Sequence, residues 1–351
     1  MDILSYLKEA SAWHGPSGHE SEAAGWLAER FRPLVDSVTI DPLYNVIAQK
    51  RGVKGTSSIM LCAHQDEIAL MVAAILPDGT LRMGQVGGVD SRILPANAVT
   101  VHGTGEGSQK LTGVVGAAPP HLLAEADRKQ NYKREDLFVD LGMPVEKVSR
   151  LVNIGDLITL NGEAIGLLNG RAAGKTMDDR ACIAVMLEAA ERLQGMRHEA
   201  DVYFVCSSQE EVGGIGASAA AHRIDPDLAI VLDVTHANIP QSRPDTCVPL
   251  DAPSATCGPF VQHKLLAKLK DTASKHGIKL NGGHAEARTH TDADEIQIAR
   301  EGVPCVLLEL PLKYMHTTVE LLDTQAIVEC GRLAAHFVQE IREGWDEDLW
   351  N

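Results

Sequence analysis

The sequence predicts an α/β protein in which a β-rich domain interrupts an α/β domain. Helix-like segments open the chain, and the apolar run Ser58–Ala63 has the length of a buried parallel strand. Between about residues 69 and 160, glycine-containing turns separate short apolar pieces, which is typical of a β-rich module. Beyond Gly170, helix-like and strand-like segments alternate again. The predicted domains are a discontinuous α/β domain, at 1–67 and 166–351, and an inserted β-rich domain, at 68–165.

Two N-terminal helices are predicted from apolar residues at helical spacing. One face of the first carries Ile3, Leu4 and Leu7, and one face of the second carries Ala23, Trp26, Leu27 and Phe31. The turn sequence GPSG, at 15–18, separates the two helices.

Further helices and strands are predicted in the second half of the chain. We expect helices at Asp179–Leu193, at Pro259–His276, from Thr291 to Gly302, and through Ile327, Val328, Leu333, Phe337 and Ile341. We expect strands at Asp201–Cys206, Leu228–Leu232 and Val303–Leu310. Thr291 has the side chain of an N-cap, and Gly302 with Pro304 ends the helix that it begins.

The charge balance excludes two classes of partner. The chain has 48 acidic and 32 basic residues, a formal net charge of −16. Nucleic-acid phosphates and anionic membrane surfaces are therefore poor general partners. No apolar run approaches the roughly 20 residues of a membrane span, and Asp2 stands where a signal peptide carries positive charge.

The cysteines indicate a reducing compartment. There are seven, widely spaced and without a C-x-x-C pair, so neither a disulfide framework nor a cysteine-rich zinc site is expected. We therefore predict a cytoplasmic protein.

Residues that can bind metal ions stand where predicted strands end or a loop meets a helix. They are His64 and Asp66, Asp178 and Asp179, Glu210 and Glu211, Asp233, and His316. Ligands of open α/β sheets bind beyond the carboxyl ends of the strands, where residues distant in sequence meet. We therefore expect these side chains to converge.

Each group alone has a simpler interpretation. His64 fits a hydrogen-bonded residue at a strand end, paired acids before a helix serve its N-cap and macrodipole, and Glu210 with Glu211 fits a solvated loop. His64 and Asp66 face the same side of an extended backbone, so Asp66 can orient the site. Glu210 and Glu211 face opposite sides, so they need different roles, one as a ligand and the other as a base.

Taken together, the set favours a pair of metal ions. Two histidines and three carboxylates form a nitrogen and oxygen donor set for two divalent ions, with one carboxylate bridging them. Two ions about 3.5 to 4 Å apart can hold an attacking water and polarise a carbonyl oxygen. That chemistry also needs a carboxylate that binds no metal, to take the water's proton and pass it to the leaving amine.

The motifs resemble those of one peptidase family. AHQDEIALMV, at 63–72, is similar to the AH-x-DEIG-x-MV segment of the glutamyl/deblocking aminopeptidases, the tetrahedral dinuclear metallopeptidases. TMDDRACIAVMLEA, QEEVGGIGA, VLDVTHA and HTTVE follow in the order of that family. HGPSGHES and HTDADEIQIAREGVP also resemble family segments, so the resemblance spans nearly the whole chain.

The resemblance implies five metal ligands and two further catalytic residues. Those residues are Asp178 as the ligand bridging two zinc or cobalt ions, His64 and Asp233 on one ion, Glu211 and His316 on the other, Glu210 as the general base that deprotonates a bridging water, and Asp66 as the orienting partner of His64.

The resemblance also implies an architecture and a substrate class. The architecture is a zinc-peptidase-like αβα catalytic domain with the inserted domain shaping a self-compartmentalising homo-oligomer, typically a tetrahedral dodecamer, and its access channels. The substrates are short peptides, which lose their N-terminal residues.

Some positions depart from the family pattern, but none of them removes a ligand. Gln65, Ala69, Lys313 and Thr317 replace the usual residues. The stretch Pro240–Gly258, which helps to form the substrate pocket in the family, matches poorly. The sequence therefore leaves the preferred N-terminal residue open.

Other functions stay in view. A metal-dependent deacylase is closest in mechanism. A glycoside hydrolase of the endoglucanase type needs two carboxylates and aromatic platforms, whereas this chain has five Phe, four Trp and five Tyr. A non-catalytic assembly is disfavoured because all proposed ligands and the base are present.

Overall fold

The computed structural model of the chain describes residues 1–126, 128–243, 245–347 and 349. Its helices are α1 (Ile3–Ala12), α2 (Ser21–Phe31), α3 (Val145–Leu151), α4 (Met177–Leu193), α5 (Ile215–Ile224), α6 (His263–Lys275), α7 (Ala293–Ile296) and α8 (Thr324–Glu340). Its strands are β1 (Ser37–Ile40), β2 (Val46–Lys50), β3 (Ser58–His64), β4 (Ala69–Ile75), β5 (Leu81–Val86), β6 (Ala98–Gly103), β7 (Gln109–Ala117), β8 (Leu137–Asp140), β9 (Leu157–Leu160), β10 (Ile165–Leu167), β11 (Arg171–Gly174), β12 (Asp201–Ser207), β13 (Leu228–His236), β14 (Ser254–Cys257), β15 (Asn281–His284), β16 (Cys305–Leu312) and β17 (Glu320–Asp323).

An eight-stranded sheet forms the centre of the α/β part. Its strand order is β1-β2-β12-β3-β13-β16-β14-β15. The four central strands, β12, β3, β13 and β16, run parallel, while β2 and β14 join them antiparallel. The central strands are almost continuously apolar because both of their faces are covered. A second sheet, β10-β11-β17, has three strands.

Helix α4 is the buried helix of this part. Every residue from 177 to 190 is buried, and α4 packs on β3, β13, β16 and α8. A helix that is apolar on most sides belongs between other layers. A Cβ atom at Gly331 of α8 would lie 2.7 Å from the Cβ of Glu188. Glycine at that position therefore lets the two helices approach closely.

A buried arginine fixes the N-terminal segment against the start of α4. Arg180 is 1% exposed. It donates hydrogen bonds to the carbonyl oxygens of Gln65 at 2.9 Å, Ala10 at 2.7 Å and Trp13 at 2.6 Å. Its guanidinium also lies 3.6 Å from the carboxylate of Glu67. A buried cation needs such partners. The network therefore fixes the segment at Gln65 and Glu67, directly after β3, against the start of α4.

A closed barrel follows the first part of the sheet in sequence. Its strand order is β4-β5-β8-β7-β6-β9, and it has its own apolar core, which includes Leu70, Val99, Val101, Val139 and Ile158. The predicted class, an α/β fold with a β-rich insertion, is confirmed by this architecture and by the structural comparisons given below. The exact domain limits stay a prediction.

One predicted helix is much shorter than expected. The helix expected from Thr291 to Gly302 is a single turn, α7. Thr291 does accept a hydrogen bond from Ala293 N at 3.2 Å, but Asp292 occupies the N-cap position. Pro304 cannot donate to a strand ladder, and β16 begins only at Cys305.

The cysteine side chains form no disulfide among the described residues. All seven cysteines are free thiols, five of them buried. Among the residues that the structure describes, no helix has the length and apolar character needed to cross a bilayer.

Replacing Leu61, which is fully buried in β3, tests the packing of the central sheet. We expect Leu61→Ala to lower the free energy of unfolding by about 2–5 kcal/mol, because it leaves a cavity. The volume-conserving Leu61→Met serves as the control and is expected to cost less than about 1.5 kcal/mol. Urea unfolding followed by circular dichroism at fixed protein concentration measures both. An alanine variant as stable as the methionine variant would contradict close packing there.

Candidate metal centre and active site

The predicted site residues meet at the carboxyl ends of the parallel strands. His64 ends β3 and lies in register with Ser207, the last residue of β12. Glu210 and Glu211 follow β12, and Asp233 lies near the end of β13. The start of α4 and the loop after β16 add the two remaining residues, Asp178 and His316. The expected convergence therefore occurs in the structure.

The Asp178 carboxylate lies between two imidazole rings. Its Oδ1 is 3.1 Å from Nε2 of His64, and its Oδ2 is 3.3 Å from Nε2 of His316. The same nitrogen of His316 lies 3.3 Å from Oε1 of Glu211. Burial opposes ionisation of Asp178, but the two histidines outweigh it and hold the pKa of that carboxyl well below its usual range.

Two groups of potential ligand atoms form within this cluster. The atoms of each group lie within 4.8 Å of one another. The groups are His64 with Asp178 and Glu211, and His64 with Asp179 and Asp233. Imidazole nitrogen and carboxylate oxygen are donors that suit divalent transition metals. The residues present therefore fit a metal centre.

Glu210 stands beside the cluster but belongs to neither group of potential ligands. Its Oε2 is 3.9 Å from Nε2 of His64. Burial raises the pKa of Glu210 to about 10, and the charge of nearby Asp233 acts in the same direction, whereas His64 opposes it. A carboxyl group with a raised pKa beside a metal-competent cluster can accept and return a proton.

Asp66 is fully buried and holds several parts of the site at once. Its Oδ2 accepts hydrogen bonds from Ser17 Oγ at 2.6 Å and from Glu211 N at 3.2 Å. Its Oδ1 accepts one from Glu210 N at 3.1 Å and faces His64 Nδ1 at 3.4 Å. Asp66 therefore fixes both the imidazole and the backbone that carries the two glutamates.

Glu320 is a site residue to which the sequence assigned no role. Its Oε2 accepts a hydrogen bond from Asp178 N at 3.2 Å, and its Oε1 accepts one from His316 N at 2.8 Å. The motif HTTVE places Glu320 four residues after His316, which was the available signal. The backbone of His316 has a φ of 60°, a left-handed conformation that a glutamate acceptor helps to hold.

Two further buried acids belong to the site: Asp179, which the sequence placed there without a role, and Asp292, which it did not place there. Asp179 Oδ2 accepts a hydrogen bond from His64 N at 3.2 Å. Asp292 accepts hydrogen bonds from Ser207 Oγ and Cys62 Sγ, and burial raises its pKa to about 6. Both acids stand next to residues that the motifs highlight, but sequence alone does not separate such positions from a helix N-cap.

The backbone of the inserted domain contacts the site in the loop after β5. The carbonyl oxygen of Gly88 lies 2.9 Å from Nδ1 of His316. This contact leaves Nε2 of His316 directed at Asp178 and Glu211. A hydrogen bond at one ring nitrogen fixes the orientation of the imidazole, as it does for metal-bound histidines.

Negative charge in the cluster exceeds what its histidines neutralise. Burial raises the pKa of Asp179, Asp233 and Glu211. Burial disfavours the charged form of His316, yet the carboxylates of Asp178 and Glu211 outweigh it and raise its pKa to about 11. Protons therefore bind tightly where divalent cations would compete with them.

The geometry defines a class of protein. The chain has an α/β sheet with a metal-competent cluster at the carboxyl ends of its strands, beside a carboxyl group that can transfer protons. Metal-dependent hydrolases require this combination.

The comparisons with known proteins identify the family. The M42 glutamyl aminopeptidase family matches residues 44–333. The lysyl aminopeptidase of Pyrococcus furiosus is 35% identical over 333 residues, which cover 93% of this chain and 94% of that protein. The chain therefore belongs to the M42 glutamyl aminopeptidase family, as its motifs predicted, and it is a peptide hydrolase of the aminopeptidase type.

Solved structures agree with this assignment. A TET aminopeptidase from a marine sediment archaeon of the Thaumarchaeota has a TM-score of 0.93 at 29% identity, covering 99% of this chain and 98% of its own. The TET1 peptidase of Pyrococcus horikoshii, which assembles into a tetrahedron or a large octahedral shell, has a TM-score of 0.84 at 28% identity, covering 97% of this chain and 100% of its own. Peptidases of the M42 family depend on metal ions.

Metal stabilisation of this protein is expected to increase with pH. The pKa values of His316 and Glu210 are raised on folding, to about 11 and about 10. The folded, metal-free protein therefore binds more protons than the unfolded chain. Its free energy of unfolding consequently decreases as pH rises from 6 to 8. Ions that displace these protons should bind more tightly by about 1.4 kcal/mol per pH unit for each proton released.

Thermal unfolding of chelated protein, with and without added cobalt at pH 6, 7 and 8, measures the effect. The increase in melting temperature on metal addition should grow with pH. Asp178→Asn is the control, and its increase should be small at every pH. An equal increase at pH 6 and pH 8 in the unmodified protein would show that no protons are displaced.

Proposed function

We propose that this chain is a dinuclear metal-dependent aminopeptidase that removes N-terminal residues from short peptides. The observation that carries the proposal is the Asp178 carboxylate, whose two oxygens face His64 and His316 at 3.1 and 3.3 Å. A carboxylate whose two oxygens face two different imidazoles is placed to be a ligand common to two ions. Membership of the family supports the reaction class.

Five residues are assigned as ligands in this proposal. His64 and Asp233 would hold one ion, Glu211 and His316 would hold the other, and Asp178 would be shared. Zinc and cobalt suit a set of imidazole and carboxylate donors. When bound, the two ions supply Lewis-acid chemistry, since they polarise a carbonyl group and acidify water.

Glu210 moves the protons of the reaction. Its carboxylate takes a proton from the attacking water, and the resulting carboxylic acid gives that proton to the leaving amine of the cleaved peptide bond. The burial that raises the pKa of Glu210 favours holding the proton between these two steps.

Asp66 and Asp179 act through His64. Asp66 Oδ1 faces the ring Nδ1 at 3.4 Å, and Asp179 Oδ2 accepts a hydrogen bond from the backbone nitrogen at 3.2 Å. The two carboxylates hold the ring and the backbone of His64 separately. We therefore assign both as positioning residues.

We also propose that the chain forms a homo-oligomer, a tetrahedral dodecamer, in which the inserted domain at 68–165 shapes the assembly and its access channels. The separate apolar core of the barrel supports an independent role for this domain. The tetrahedral assembly of the Pyrococcus horikoshii TET1 peptidase supports the oligomer. The cytoplasmic location stays a prediction from the sequence.

Replacing Glu210 separates the base from the ligands. We expect Glu210→Gln to lower kcat about 10²–10⁴-fold, because the amide cannot take the water's proton. The metal content, measured by elemental analysis, should stay at the level of the unmodified protein. Glu301→Gln, at an exposed position, is the matched control and should retain both activity and metal. Loss of metal from the Glu210 variant would show that Glu210 is a ligand.

A substrate panel with and without chelator tests the reaction class. The panel contains aminoacyl anilides, N-acetylated peptides and a soluble glucan. We expect hydrolysis of the anilides with a free amino group, abolished by chelation and restored by zinc or cobalt. Hydrolysis of only the N-acetylated peptides would favour a deacylase, and glucan cleavage that survives chelation would overturn the peptidase proposal.

A further inference from the structure

A second cavity adjoins the metal-competent cluster. It has a volume of about 330 Å³. Four of its lining residues, Thr235, His236, Thr289 and Glu309, also line the cavity that contains the proposed ligands. The two spaces therefore meet along this shared wall. A peptide whose N-terminus lies at the metal cluster can extend a side chain into the second cavity.

Glu309 is the buried acid of this shared wall. It is 6% exposed and lies on β16, in register with Asp233 of β13 and Ser254 of β14. Registered neighbours point to the same face of a sheet. Glu309 is therefore one strand away from a proposed metal ligand, on the same face of the sheet.

Hydroxyl groups hold the Glu309 carboxylate in place. Oε2 accepts a hydrogen bond from Thr256 Oγ1 at 2.5 Å, and the Thr235 side chain also hydrogen-bonds to the carboxyl group. Gly283 lies opposite, where a Cβ atom would come within 2.4 Å of Thr256 Oγ1. The absence of a side chain at Gly283 keeps this end of the cavity open.

Two histidines, His236 and His284, line the cavity, but it supplies no lysine or arginine among the described residues to pair with this acid. Burial raises the pKa of Glu309 to about 7, in keeping with a carboxylate that lacks a cation. A buried acid without a cation is costly to ionise, and a ligand with positive charge removes that cost on binding.

We propose that Glu309 determines substrate specificity and that the second cavity takes the cationic side chain of an N-terminal lysine or arginine. This inference rests on the proposed function, since it places the substrate's first residue beside the metal cluster. Thr235 and Thr256 orient the carboxylate toward the incoming charge. A neutral side chain of the same length would leave Glu309 without a cationic partner and bind less tightly.

Calorimetry of the cobalt-loaded protein with L-lysine and L-norleucine tests the inference without any turnover. The two amino acids have side chains of similar length, and only lysine carries the terminal charge. We expect the Kd of lysine to be at least tenfold lower than that of norleucine. Equal affinities would overturn the role of Glu309 even if the protein is an active aminopeptidase.

Variants then assign the effect to one residue. We expect Glu309→Gln to reduce the ratio of kcat/KM for lysyl over leucyl p-nitroanilide at least tenfold and to remove the preference for lysine over norleucine. Asp245→Asn is the matched comparison, because Asp245 lines the same cavity but is already paired with Arg243 at 3.0 Å. Its ratio should change less than threefold.

The outcomes of the two proposals are distinguishable. If the ratio falls with Asp245→Asn and not with Glu309→Gln, Asp245 rather than Glu309 binds the cation, and this inference is overturned. If no anilide is hydrolysed by metal-loaded protein, the proposed function fails, and the calorimetric difference between lysine and norleucine still decides whether the cavity selects a cation.

Discussion

Mutual repulsion among buried carboxylates is the constraint that the candidate metal centre has to satisfy. Asp178, Asp179 and Asp233 lie together around His64, which belongs to both groups of potential ligands, and His316 contacts Asp178 from the other side. Each of these acids would be expensive to bury as an isolated charge. Nearby backbone N–H groups and imidazoles offset part of that cost, and bound divalent cations would offset the rest. The positions of the cluster's other partners follow from this requirement.

The scaffold maintains that strained arrangement of charge because its supporting elements are rigid. Helix α4 is buried over its first 14 residues, 177 to 190, and its second and third residues are the aspartates Asp178 and Asp179 of the cluster. Arg180 fastens this start to three backbone carbonyl groups of other segments. The barrel adds the carbonyl oxygen of Gly88, which orients His316 from outside the sheet. Sites supported by packed elements keep their geometry better than sites on loops.

The sequence could predict the parts of the site that follow from strand ends, and it could not predict those that depend on tertiary contacts. His64, Glu210 and Asp233 could be predicted because the apolar pattern of a buried strand shows where the strand ends. The carboxyl ends of parallel strands also share one edge of the sheet. The role of Glu320 could not be predicted, because Glu320 accepts hydrogen bonds from the backbone nitrogens of Asp178 and His316. The position of the His316 nitrogen depends on the left-handed backbone of that residue. The length of α7 was also predicted wrongly, because a helix was expected from Thr291 to Gly302 and only the single turn Ala293–Ile296 forms.

Glu309 shows a different limit of sequence reasoning, and it connects recognition to catalysis. In the apolar run VLLELPL it looks like one polar residue in a buried strand, which pattern alone treats as an exception. The parallel register between β13 and β16 places it beside Asp233, on the same face. One strand thus carries a proposed metal ligand, and the next carries the acid that would select the substrate. The two strands lie at the usual distance between neighbouring strands, about 4.8 Å. Because the sheet fixes that spacing, the same rigid element would position the charged end of the proposed substrate and its reacting carbonyl group.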